Sequence, residues 1–117
     1  MLTLPNQLRV FLAIHPVDMR KQFDGLWAVA RDHLGEDPKT GALFAFTNKA
    51  RNRLKILYFD GTGVWVFAKR IEQGRLTWPS KDHGKSNKLK IDPAAMTLLI
   101  NGIDLKQGTL KAWYDRK

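Results

Sequence analysis

Residues 53–71 constrain the chain more than any other stretch. Two runs rich in β-branched and aromatic residues, RLKILYF and VWVFAKRI, flank Asp60-Gly61-Thr62-Gly63. Such runs around a glycine-containing turn read as an antiparallel hairpin, because glycine adopts the positive φ of a tight turn without steric cost. Centring the turn on Gly61-Thr62 pairs Phe59 with Val64, Leu57 with Val66, Lys55 with Ala68 and Arg53 with Arg70. Directly opposed residues share a face, so Leu54, Ile56, Tyr58, Trp65, Phe67, Lys69 and Ile71 fall together as the expected core side. The other face has an apolar zone near the turn (Leu57, Phe59, Val64, Val66) and a basic end carrying Arg53, Lys55 and Arg70.

Further strands are expected at 9–14, 42–47 and 75–79. Short connections through NKARN and Glu72-Gln73-Gly74 favour a meander. In the shortest-loop register, Phe44, Phe46, Leu76 and Trp78 join the core side. An amphipathic helix is expected after Pro16. Asp18 is its N-cap, Met19, Phe23, Leu26, Trp27, Ala30 and Leu34 form its apolar stripe, and Gly35 stops it. Gly25 inside it is read as a close-packing position. Asp92-Pro93 opens a second, short helix that ends at Asn101-Gly102. The polar segment 80–91 reads as a flexible loop. The expected fold is therefore α+β: an antiparallel sheet of four to five strands in a meander, packed against the amphipathic helix, with a short C-terminal helix. Residues 1–105 form one domain, and 106–117 form a basic tail.

Charge narrows the partner. Residues 1–47 carry five Lys/Arg against five acids, whereas residues 48–117 carry fifteen against six, which accounts for the whole net charge of +9. That asymmetry points to an anionic partner, most often nucleic acid. With no Cys, disulfides and thiolate metal sites are excluded. The apolar amino terminus has no basic n-region and is interrupted by Pro5, Asn6 and Arg9, and no apolar run approaches membrane-spanning length, so the cytoplasm is the expected compartment.

No cofactor, metal or catalytic set is expected. His15, His33 and His83 lie far apart and form no ligand pair. Gly61-Thr62-Gly63 precedes a strand, not a helix, and lacks the helix amino terminus that makes a glycine-rich loop a phosphate cradle. Asp60, Lys69 and Glu72 faintly suggest a nuclease set, but Asp60 is explained as a turn residue. The candidate nucleic-acid-binding residues are Lys49, Arg51, Arg53, Lys55, Lys69 and Arg70, suited to phosphate contact without base readout. Arg20 and Lys21 form a second candidate surface.

Two stretches, VDMRKQFDGL (17–26) and LFAFTNKARNRLKILYFDGTGVWVFAKRIEQGRLTWP (43–79), resemble the small accessory protein of insertion-sequence-66-type transposons, the TnpB-type second reading frame. The shared pattern runs from Asp18 to Leu26, Leu43 to Leu57, through Asp60-Gly61, then Lys69 to Pro79, and Asn101 to Asp104 fits its end. Gln22 departs from it, standing where similar proteins often have glycine. The resemblance implies a non-catalytic accessory factor for DNA transposition that works beside a separate transposase; it carries over no catalytic residue. DNA and the transposase are the expected partners. The rival expectation is a protein-interaction adaptor that never touches DNA, anchored by Leu57, Phe59, Val64 and Val66; a homo-oligomer burying that zone would look the same in sequence.

Overall fold

The computed structural model describes residues 8–79 and 86–101. Strand β1 (Val10–Ala13) precedes helix α1 (Phe23–Ala28), which widens to π-helical geometry over Val29–His33. Strands β2 (Leu43–Thr47), β3 (Arg53–Phe59) and β4 (Val64–Arg70) follow, then β5 (Lys88–Ile91) and helix α2 (Pro93–Ile100). Residues 80–85 of the expected loop, and the expected basic tail 106–117, lie outside the described residues.

The class is α+β, but the sheet is mixed. Its order is β4-β3-β2-β1-β5, and β1 runs parallel to β2 while every other neighbouring pair is antiparallel. Parallel neighbours need a crossover, and the connection from β1 to β2 supplies it with α1. Only β2, β3 and β4 form a meander. The expected strand at 75–79 is absent. After β4 the chain leaves the ladder, with the Ile71 amide donating to the Asn52 carbonyl and the Leu76 amide to the Arg51 carbonyl. It then buries Leu76 and Trp78, and the Trp78 indole N–H donates to the Ala13 carbonyl at 2.9 Å. The fifth strand comes instead from Lys88–Ile91, inside the segment expected to be a loop. Lys88 anchors it: its ammonium bonds the Leu34 carbonyl and Glu36 and lies over the Phe11 ring.

Both faces of the sheet are covered at its centre, over β1, β2 and β3. On one, Phe11, Phe44, Phe46 and Leu57 pack against Leu26, Ala30 and Leu34 of the α1 segment. On the other, Leu12, Ala45, Leu54, Ile56 and Tyr58 pack against Leu76, Trp78 and the α2 residues Met96 and Leu99. The β3–β4 register is the expected one, from Arg53↔Arg70 to Phe59↔Val64. The β2–β3 register is one residue off. Phe44 pairs with Leu57 and Phe46 with Lys55, which moves both phenylalanines to the face under α1. The cause is local. Asn48 Oδ1 accepts from the amides of Asn52 and Arg53, and its amide nitrogen donates to Asn52 Oδ1. This closes a loop one residue longer than the shortest one, and a one-residue slip exchanges the faces.

The other local expectations fare unevenly. Asp18 does not cap α1. It accepts from the Arg20 amide and guanidinium and closes a separate turn, so the helix begins later, at Phe23. Gly35 does end the segment, at φ +69. At Gly25 the crowding is local: a Cβ there would meet the Lys21 side chain, four residues earlier, at 3.0 Å. Asp92 caps α2 as expected, accepting from the Ala94 amide at 3.0 Å with Pro93 in the first turn.

Candidate nucleic-acid interface

The loop between β2 and β3 is a built structure rather than a floppy connector. The Asn48 side chain satisfies its amides, Thr47 Oγ1 donates to the Arg53 carbonyl at 2.8 Å, and Arg51 takes the left-handed conformation at φ 59. For a long side chain that backbone region is uncommon, and here the surrounding hydrogen bonds determine it. Lys49 is exposed and Arg51 half-buried, so the loop carries two cations at the end of β3.

Arg53 follows directly and faces Arg70 across the β3–β4 ladder, both exposed. Like charges directly opposite each other on a sheet are destabilising. Glu72 partly offsets the pair, accepting from Arg70 Nε at 3.0 Å, but both partners of that bridge are largely exposed and its net worth is small. The turn that precedes α1 reaches the same corner. Met19 borders one shallow depression with Arg53, Ala68 and Arg70, and the Lys21 carbonyl accepts from Lys55. The two candidate surfaces read from the sequence are thus neighbours, with Arg20 exposed and paired to Asp18.

The six candidate residues do not form one group. Arg53 and Arg70 share a face, Lys49 and Arg51 sit in the adjoining loop, and Lys69 points to the opposite face. Lys55 is not at the surface: it is 8% exposed, covered by the α1 segment, and its ammonium donates to the Lys21 carbonyl at 2.8 Å. The apolar zone of Leu57, Phe59, Val64 and Val66 is likewise no open patch. Leu57 is fully buried, Val64 and Val66 pack against the core under α1, and Phe59 meets Trp27 edge-on at 5.8 Å.

Exposed aromatics lie where the sequence reading put core. Trp65 and Phe67 are 42% and 38% exposed, with ring centroids 5.7 Å apart and planes within 4° of parallel. β4 is an edge strand, and the crossing segment that covers β3 does not cover these rings. Asp60 orients the indole: its Oδ2 accepts from Trp65 Nε1 at 2.8 Å, while Oδ1 accepts from the Thr62 and Gly63 amides and the Thr62 hydroxyl. These donors, the indole first, hold the Asp60 carboxyl far below the usual carboxylate range. A depressed carboxyl contributes its stabilisation above its unfolded value and loses it only as pH falls through the folded one, so the clamp is intact at neutral pH. An aspartate opening the turn five residues before a tryptophan was the available signal; assigning that whole face to the core hid it. Among the described residues, no three His, Cys, Asp or Glu side chains converge as a metal site, and no helix is long and apolar enough to cross a membrane.

The chain belongs to the IS66 Orf2-like family, which it matches over residues 8–109, and that family places it among accessory proteins of transposons. It is similar to two uncharacterized proteins of Sinorhizobium fredii. The one designated y4hO is 36% identical over 104 residues, covering 89% of this chain and 88% of the relative. The other, y4jC, is 35% identical over 97 residues, covering 83% and 80%. No solved structure matches.

Proposed function

We propose that the chain is a non-catalytic accessory factor that binds DNA phosphates in the transposition complex, acting beside the transposase in the cytoplasm. The contacts assigned are Arg53 and Arg70, with Lys49 and Arg51 from the adjoining loop and Arg20 and Lys21 at the border. The observation that carries this reading is the Arg53–Arg70 pair, two like charges directly opposed on an exposed ladder. A phosphate between such guanidiniums turns their repulsion into two charge-assisted contacts. Lys55 drops out of the set because its charge is buried on a backbone carbonyl. The adaptor reading loses its anchor, since Leu57, Val64 and Val66 pack against the core under α1.

Amide chemical shifts recorded while a short DNA duplex is added would map the contact. The changes are expected to centre on residues 49–53 and 69–71 and to spare α2. Changes centred on α2, or none at a DNA excess, would refute the assignment.

A further inference from the structure

The Trp65–Phe67 ledge is an exposed apolar surface that the phosphate contacts leave unused. Its rings stack on one another and stay partly exposed, and Lys69 continues the row along the same face of β4. We infer that this ledge stacks unpaired nucleobases while Lys69 meets the neighbouring phosphate, so that the protein takes single-stranded as well as duplex nucleic acid. The inference rests on the nucleic-acid reading above and names a second class of substrate for it.

Three observations favour a base as the occupant. The surface consists of flat rings rather than branched aliphatics, and every base has a π-face that stacks on such rings. The Asp60 bond fixes the indole edge at 2.8 Å and orients the ring without burying it. The row that bears the rings ends in exposed Lys69 on the same face, a cation placed for the phosphate beside a stacked base. A second copy is the other occupant an edge strand invites. Cations along an edge are a means by which proteins keep such strands from pairing with one another, and each copy would bring a net charge of +9.

The test compares three probes at fixed salt: a single-stranded oligonucleotide of about ten nucleotides, an abasic strand of the same length, and a duplex. Deoxy and ribo versions of the single strand separate DNA from RNA as the source of the bases. Wild type is expected to bind the base-bearing strand on the order of tenfold or more tighter than the abasic one. Trp65→Ala and Phe67→Ala are each expected to weaken the base-bearing strand about tenfold, leaving the abasic strand, the duplex and the salt slope unchanged. Phe67→Tyr, which keeps a ring, should bind as wild type does. Equal wild-type binding of abasic and base-bearing strands would overturn the inference, and needs no variant to fold. Alanine variants that bind single strands normally would overturn it too. So would a wild-type dimer that the alanine variants convert to monomer with binding unchanged, which would make the ledge a contact between copies. Loss of duplex binding in Arg53→Ala/Arg70→Ala tests the phosphate reading separately, so the two can fail independently.

Discussion

Replacing Phe44 by alanine is expected to destabilise the protein by about 3–5 kcal/mol, the usual cost of deleting a fully buried phenylalanine ring. Phe44 is 0% exposed and stacks on Phe11 with ring centroids 5.7 Å apart, so the cavity would open in the middle of the layer between sheet and α1. Thermal unfolding should shift downward by roughly 10–25 °C for a domain of this size. The register adds a sharper expectation. Phe44 belongs to the α1 side of the sheet and Met96 to the α2 side. Double-mutant cycles should therefore show coupling of about 0.5 kcal/mol or more between Phe44 and Phe11, and additivity between Phe44 and Met96. Coupling to Met96 instead would mean that β2 pairs with β3 in the shorter-loop register.

Lys55→Ala is also expected to be destabilising, and for a reason unrelated to DNA. The Lys55 ammonium bonds the Lys21 carbonyl at 2.8 Å from a nearly buried position. Removing it gives up a hydrogen bond from a charged group, worth about 1.5–3 kcal/mol, and the loss of the packed aliphatic stem adds to this. Lys55→Met keeps most of the stem and should recover that second part only. In either variant that remains folded, the salt dependence of DNA binding should match wild type, measured by denaturant unfolding alongside a binding titration. A salt slope reduced by about one in Lys55→Met would return Lys55 to the phosphate-binding set.

The parts of the fold legible in the sequence are those set by adjacent residues. The β3–β4 hairpin follows from its turn and alternating runs, and α2 from Asp92-Pro93, because each is fixed within a few positions. What escaped depends on distant contacts or on one side chain. The β2–β3 register turned on how Asn48 folds the loop. The parallel β1–β2 pair and the placement of β5 are long-range choices for which no periodicity exists. Leu76 and Trp78 look like strand residues because they alternate, yet they are buried by packing over the sheet rather than by pairing within it.

The candidate site was legible in part for the same reason. Arg53 and Arg70 come together through the hairpin register, which the sequence specifies. Lys55 shares their face and was grouped with them, but alternation gives the face and not what covers it. The same limit misplaced Trp65 and Phe67. They share a face with the buried Ile56 and Tyr58, but on the edge strand the covering layer has ended.

Affinity for a short DNA duplex, measured as a function of salt for wild type and Arg53→Ala/Arg70→Ala, tests the phosphate-binding claim most directly. About four to six phosphate contacts predict a slope of log affinity against log salt near −4 to −5 for wild type. The double variant should be shallower by about two and weaker by roughly 60-fold at 0.1 M salt. Superimposed lines for the two proteins, or no wild-type binding at moderate salt, would contradict the claim that this basic corner binds DNA.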